Sequence, residues 1–502
     1  MLNAKICKEV LRLGIIAREK YDTYALFIFS SLEGGKFQMA DVKNQAAEKE
    51  SLLYKVGAVC SAVVQKCIPD AMCFAIGLLM IVFVLALALT DIGFMGIIDS
   101  IGNGMWALIT FAYQVASTLL FSNILGNTKV CRKLLGAICS IPKTPKQAMM
   151  MSALVGCLGS LFSWAFGLVA AALYCREVVR HVKGIDYACL VACGYCGFLV
   201  WHGGLSATIP LAFQAGGYAH AVWGGEGIAF NHFVLTKWNL FFDIWFTITI
   251  PLICGMLCPP ASKVREVDPA LLVVEEVDFS MPKNPTAAQF MEHTPIFNWF
   301  LGICMLIWAV TWFAKMGIIA GITMNALNLV FYALALMCVK NIKEFSYLVA
   351  KVGAGVAPLM CQFPIYAAIM TVMQKSGLAA MIAELISGIA TAKTLPNFIY
   401  ISSCILNMII PSGGGKFSVE APIYLPVVQE LGQVTDPTDI GLLVKTMNAA
   451  MWGDATTNLI QPFWALPLLG IANLGIRDIM GYCAICCAWG FICVEIFLFV
   501  LV

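Results

Sequence analysis

Long apolar blocks that break in the middle constrain this chain more than any other feature. Apolar runs of roughly 17–25 residues cross the hydrocarbon core of a bilayer as a helix, and such runs fill this 502-residue sequence. Uninterrupted spans are expected at Ala71–Leu89, Gly104–Gly126, Asn239–Leu257, Pro295–Ala314, Gly317–Val339, Ser346–Met373 and Ile479–Val502. Four further blocks are interrupted: Ala148–Cys175 by Phe162–Gly167, Tyr187–Phe213 by Trp201–Ser206, Pro396–Val428 by Pro411–Lys416, and Ile440–Leu469 by Trp452–Asn458. Irregular backbone at membrane depth survives only where it is buried in protein or lines a cavity. The breaks are therefore the places to look for function.

Composition agrees. Apolar residues make up 60% of the chain and charged residues 12%, with a mean hydropathy of +0.85; soluble chains run near 45–50% and about 25%. A soluble enzyme and a disordered chain are excluded. So is a nucleic-acid binder, because the net charge is only +2 and no basic face exists. The 21 cysteines sit mostly inside apolar blocks, where a thiol acts as a small hydrophobe. The C-x-x-C pairs Cys193/Cys196 and Cys483/Cys486 read as packing, and no metal or other cofactor is expected beyond a transported Na⁺ or H⁺. The first 20 residues carry seven charges and no signal-peptide core.

Charge sets the expected topology. Residues 1–68 read as a cytoplasmic, partly amphipathic extension, and 259–294 as a polar cytoplasmic linker with six acids and three bases. Between them lies a first repeat (69–258), and after them a second (295–502). Loop 127–146 carries Lys129, Arg132, Lys133, Lys143 and Lys146 without an acid, and so reads as inside. The stretch after Cys175 is also basic. One straight crossing cannot put both ends inside, so 148–175 is expected to be a re-entrant helical hairpin, with 396–428 as its counterpart.

Spacing supports two copies. Gln114 precedes Ser163 by 49 residues and Gln362 precedes Ser412 by 50; Ser163 to Trp201 is 38 and Ser412 to Trp452 is 40. Hairpin flanks of opposite charge, and the odd span Pro295–Ala314, would invert the second copy. The expected fold is thus an all-α polytopic membrane protein of two inverted repeats. Each repeat has one re-entrant hairpin and one discontinuous helix, with roughly nine spans in all, an arrangement typical of secondary transporters.

A helix that stops inside the membrane exposes N–H groups that favour an anion at one end and carbonyls that favour a cation at the other. Gly413, Gly414 and Gly415 would let backbone donors approach a small carboxylate. Neutral ligands would come from Ser163, Ser206, Ser412 and Thr457, and from the amides of Gln114, Gln362, Asn458 and Gln461, with Gly203 and Gly204 at the break and Trp164 as a wall. The alternative is that the glycines permit tight packing and the hydroxyls satisfy backbone groups. Lys416 would either supply charge to an anionic substrate or snorkel from a tip. Asp454 would bind a cation or proton, or cap a restarting helix. His202 would be a proton site or a polar filler.

Pro411-Ser412-Gly413-Gly414-Gly415, Gln461-Pro462-Phe463-Trp464-Ala465-Leu466-Pro467 and Arg477-Asp478-Ile479-Met480-Gly481-Tyr482 closely resemble the short-chain fatty acid transporter family, the AtoE-like acetoacetate and butyrate permeases. Trp164–Leu168, Gly203–Ser206 and Gln362-Phe363-Pro364 match its pattern too, and the likeness covers about residues 52–502. The resemblance implies the larger ion-transporter group with paired re-entrant hairpins, some branches of which are dimers. It departs at Ser163 (usually Asn), His202 (usually Gly), Lys416-Phe417 (usually His or Gln, then Trp) and Glu420 (usually an amide).

The expectation is a Na⁺- or H⁺-coupled symporter of short-chain fatty acids or a related monocarboxylate, not an enzyme. It would sit in the inner membrane of a bacterium with its N-terminus inside, with lipid, a small carboxylate and a homodimer mate as partners and no nucleic acid. Rivals are a passive anion channel, or a carrier of a dicarboxylate or amino-acid derivative.

Overall fold

Several helices begin where a short polar side chain takes up an orphan N–H of the first turn. Thr128 accepts from Cys131 N–H, Thr144 from Gln147, Asp186 from Cys189, Thr236 from Asn239, Thr323 from Ala326 and Asn341 from Glu344. The computed structural model describes residues 71–267, 277–318, 321–410 and 412–501, all within one compact unit, Leu52–Val502. The expected extension 1–68 lies outside the described residues. Helices and loops account for everything described.

The first series runs α1 (Ala71–Leu89), α2 (Gly93–Gly104), α3 (Ile109–Asn127), α4 (Lys129–Cys139), α5 (Pro145–Phe162), α6 (Trp164–His181) and α7 (Tyr187–Cys196). A 3-10 segment, Gly197–Gly203, leads to the short α8 (Thr208–Ala212), then α9 (Tyr218–Trp223), α10 (Asn231–Val234) and α11 (Lys237–Met256). After α12 (Ala287–His293) and α13 (Ile296–Met316) comes the second series: α14 (Met324–Cys338), α15 (Ile342–Gly353), α16 (Ala357–Ser376), α17 (Leu378–Ile389), α18 (Leu395–Ile409), α19 (Gly413–Leu431), α20 (Gly441–Asn458), α21 (Pro462–Ala472) and α22 (Ile476–Leu501).

The order of elements recurs. In each series four helices, α1–α4 and α14–α17, lead into a hairpin, then an interrupted helix and a long closing helix. The hairpin bends are alike at the backbone: Ser163 has φ −157°, ψ 129° and Ser412 has φ −157°, ψ 110°. The series also exchange partners, since α1 and α2 pack on α16 while α14 and α15 pack on α3. Helix α13 stands outside this pattern and packs on α14, with Phe300, Ile307 and Val310 facing outward.

Five described helical stretches are long and apolar enough to cross a membrane: Ile109–Asn127, Tyr187–Ala212, Lys237–Met256, Ile296–Met316 and Ile476–Val500. A sixth arises if α15 and α16, bent by 52°, are counted together. The remaining expected crossings rest on shorter or interrupted helices.

Several expectations need correction. The span expected at Ser346–Met373 is this bent pair. The stretch 90–103 between the first two expected spans is mostly α2, and loop 127–146 contains α4, whose buried Cys131, Leu135 and Cys139 recur at helical spacing. Both helices are too short for a span-length reading to register. The second interruption was expected at Trp452–Asn458, but α20 continues through those residues. Thr456 and Thr457 hydroxyls bond back to Trp452 and Gly453 carbonyls, and the helix ends only before Pro462, which has no N–H to give.

The two hairpins differ in how closely their arms meet. In the first, a Cβ on Gly159 would lie 2.8 Å from Gly167 Cα, and one on Gly167 would lie 2.2 Å from Ser160 Oγ; the arms touch through glycine. In the second, the residue four past the bend is Lys416 rather than Gly167, and eight past it is Glu420 rather than Ala171. There α18 and α19 are bridged by side chains, Lys416 to Ser403 and Tyr424 Oη to Ser402 Oγ (2.7 Å).

Close backbone approach makes a test. A Cβ at Gly204 would fall 2.3 Å from the Leu161 carbonyl, whereas one at Gly136 meets nothing within 4 Å. Gly204→Ala should lower stability in detergent by about 1–3 kcal/mol, and Gly136→Ala should raise it by up to about 1 kcal/mol. Equal thermal-unfolding midpoints for the two variants would contradict this packing.

Candidate functional site

Both second arms start, N-terminus first, at the bends: α6 at Trp164 and α19 at Gly413. One indole connects them. The Trp201 ring lies 6.5 Å from the Trp164 ring, and a Cβ at Gly413 would come 2.9 Å from its Cη2. Trp201 also stacks on His202 at 4.1 Å and donates its Nε1–H to Asn458 Oδ1 (2.8 Å). Its counterpart Trp452 donates across to Asn239 Oδ1 (3.1 Å). Each half thus anchors the other's broken helix by an indole–amide bond.

At the first bend the Trp164 N–H donates to Ser206 Oγ (2.9 Å), and the Leu205 N–H donates to the Leu161 carbonyl (2.8 Å). Ser206 is therefore the external cap of α6. That leaves Ser163 Oγ buried with no hydrogen-bond partner. Gly203 is held against Asp243, whose Oδ1 would lie 2.0 Å from an added Cβ, and Gly204 against Leu161. These two glycines serve close packing at the break.

At the second bend Ser412 Oγ accepts from Gly415 N–H (3.2 Å). Gly413, Gly414 and Gly415 are packed by Thr208, Trp201, Phe111 and Tyr366, and Tyr218 Oη donates to the Gly414 carbonyl (2.9 Å). Gln461 Nε2 donates to the Asn407 carbonyl, and Asn407 Nδ2 to Thr457 Oγ1 (2.9 Å) and the Asp454 carbonyl (2.7 Å). Thr457, Asn458 and Gln461 are thus stitches between the second tip and α20. Gln362 is buried on α16 with Oε1 unpartnered, one turn from Tyr366, whose hydroxyl is likewise unpartnered. Gln114 stands apart: half-buried on α3, it donates to Asn325 on α14 (2.8 Å).

Beside these stitches lies a fully buried ionisable cluster. Lys416 Nζ is 3.1 Å from the Glu420 carboxylate and 3.9 Å from Asp454 Oδ1, and it bonds to Ser403 Oγ. His202 Nδ1 is 3.1 Å from Asp454 Oδ2. The Ile209 N–H donates to His202 Nε2 (3.3 Å), so Nε2 is the acceptor and Nδ1 carries the proton that faces Asp454. All four side chains have no exposure. Lys416 does not snorkel, Asp454 does not cap a helix, and the two are held in one network spanning the two halves.

Glu420, Ser403, Asn407, Asn239 and Asp243 join the site without having been singled out as ligands. The Lys416/Glu420 spacing of four, one helical turn between opposite charges, was a usable signal, as was the Asn239/Asp243 pair in an apolar span. Nothing in the sequence pointed to Ser403 or Asn407. Cys196, Cys254 and Cys486 also converge from three helices, with sulfurs within 4.8 Å; C-x-x-C spacing gives no hint of that junction.

A buried pair is costly to halve. Lys416→Met should cost about 3–5 kcal/mol by stranding Glu420 and Asp454, and Lys416→Met/Glu420→Leu should recover part of that loss. Unfolding of the singles and the double in choline buffer measures it; strictly additive effects would show that the pair is energetically idle.

Comparison with known proteins follows the geometry. The family described as short chain fatty acid transporter matches residues 52–501. A protein of Escherichia coli K12, named as a candidate short-chain fatty acid transporter, is 34% identical over 422 residues, covering 84% of this chain and 93% of its own. One of the same description from Haemophilus influenzae is 32% identical over 439 residues, covering 86% and 96%. Among solved structures, the Alcanivorax borkumensis YdaH transporter, described as having an unusual topology, superposes with a TM-score of 0.54 at 14% identity, covering 86% of this chain and 98% of its own. Neisseria gonorrhoeae MtrF superposes with 0.51 at 14%, covering 89% and 97%. These two share the fold. The chain is an integral membrane protein and belongs to the short chain fatty acid transporter family.

Proposed function

We propose that this chain is a secondary active transporter that moves short-chain fatty acids, or a closely related small monocarboxylate, across the inner membrane of a bacterium together with a cation. The observation that carries the reading is the convergence of two serine-headed helix N-termini, at Trp164 and Gly413, on the single indole of Trp201. Helix N-termini at membrane depth favour a carboxylate. The apolar rings around them, Trp164, Trp201, Phe111 and Tyr366, suit a short alkyl tail. Unpartnered hydroxyls at Ser163 and Tyr366 are the donors left to receive the acid.

Lys416 supports one carboxylate over two, because Glu420 and Asp454 already use its charge. Taking up a bare anion against an inside-negative potential is opposed by about 2.3 kcal/mol per charge per 100 mV, which is why a cation accompanies it. In this reading α5/α6 and α18/α19 are re-entrant hairpins entering from opposite faces, the two series are inverted repeats, and the N-terminus is inside.

Liposomes reconstituted with the protein should take up labelled butyrate saturably and against its gradient; flux that never saturates would mark a channel. Ser163→Ala and Tyr366→Phe should each raise KM about tenfold, the worth of one hydrogen bond of roughly 1–1.5 kcal/mol, without loss of fold. Unchanged KM in both variants would place the acid elsewhere. For the topology, Lys143→Cys and Lys183→Cys should react with an impermeant maleimide from the same side, in a background with Cys73, Cys304 and Cys361 replaced. Opposite sides would make α5/α6 an ordinary crossing.

A further inference from the structure

The second tip already contains a cation. Lys416 Nζ sits among oxygens from three helices: Glu420 on its own helix α19 (3.1 Å), Ser403 on α18 and Asp454 Oδ1 on α20 (3.9 Å). Two carboxylates and a hydroxyl are the donor set that a hard metal cation takes. Of the neighbouring groups able to bind such an ion, Asn407 Oδ1 is left unpartnered, while the following are engaged. The tip carbonyls of Leu161 and Asn407 accept from Leu205 N–H and Gln461 Nε2. His202 spends Nδ1 on Asp454 and Nε2 on Ile209 N–H and the Thr208 hydroxyl (3.2 Å). At the matching places in the first hairpin stand Gly167 and Ala171, which offer no charge of either sign.

We infer that the Lys416 ammonium is the resident cation of this tip: a tethered charge that fills the position a dissociable sodium ion would need, so that the protein binds and carries its substrate without sodium. The pairing explains why lysine and glutamate stand here together, one turn apart. A lysine alone would bury an unpaired charge, and a glutamate alone would recreate an anionic hole. Removing the side chain at 416 leaves Glu420, Asp454 and Ser403 around a space of ion size, which makes a sodium site where none existed.

The test uses the full-length protein in detergent, melted in sodium chloride and in choline chloride at equal ionic strength. An ion that binds only the folded form raises the midpoint. The wild type and Lys416→Arg should melt alike in both salts, and Lys416→Ala should melt lower in choline and rise in sodium. A wild-type midpoint raised by sodium, or a folded Lys416→Ala indifferent to it, would overturn the inference. Should Lys416→Ala not fold, equilibrium binding of radiolabelled sodium to the wild type decides: none is expected, and one ion per chain would refute it. Only the last measurement rests on the transport reading. Butyrate uptake by proteoliposomes should run at the same rate in sodium and choline, and uptake that requires sodium counts against the resident cation. No uptake of any small carboxylate in either salt counts against the transport reading and leaves the sodium-binding result standing.

Discussion

Hydrocarbon supplies no hydrogen bonds, so every N–H and C=O at a helix end inside the membrane needs a partner from the protein. That requirement organises the centre of this molecule. The first bend is closed by Leu205 N–H on the Leu161 carbonyl and by Ser206 Oγ on the Trp164 N–H. The second is closed by Gln461 and Asn407, which tie the end of α18 to α20. At each bend an interrupted helix lies beside the hairpin and completes its hydrogen bonding. Hairpin and broken helix are therefore one structural unit, repeated once.

Within that shared plan the two units have been given different interiors. Glycine at 156, 159, 167 and 197 lets α5 lie against α6 and the 3-10 segment with backbone nearly touching backbone. Lysine and glutamate at 416 and 420 hold α18 and α19 at side-chain distance and fill the gap with charge. A zipped hairpin has few ways to rearrange, because dispersion contacts are lost at once when glycine-lined surfaces part. A hairpin bridged by polar side chains can exchange partners along its length. The two units share an order of elements, then, and differ in their chemistry.

The sequence carried much of this. The serines at both bends and several span positions followed from length, spacing and glycine–proline punctuation, and the C-terminal motifs carried the family. The limits have physical causes. Helices α2 and α4 are short and amphipathic, so a span-length window reads them as loops. The end of α20 was misplaced because glycine at 453 looked like a break, although a single glycine is tolerated inside a helix when threonine hydroxyls and neighbouring packing support it. Ser206, Thr457, Asn458 and Gln461 drew attention as ligands because of their polarity; polarity at a break also serves the break itself, and only partner geometry separates the two uses.

What the sequence determined by itself was the class of object: apolar blocks of membrane length, softened at matching points, force a helical membrane protein with a doubled core. Solvation energy sets that outcome, and it depends on the order of residue types along the chain. Tertiary structure alone decided which buried polar atoms are spent and which are left over. Ser163 and Ser412 have the same backbone angles, yet Ser412 caps its own helix while Ser206 displaces Ser163 from that duty. Lys416 reads as an exposed tip or an anion site until α18 and α20 bring Ser403 and Asp454 to it. Hydrogen bonds and ion pairs are short-ranged and directional, so their pairing is fixed only when distant segments meet.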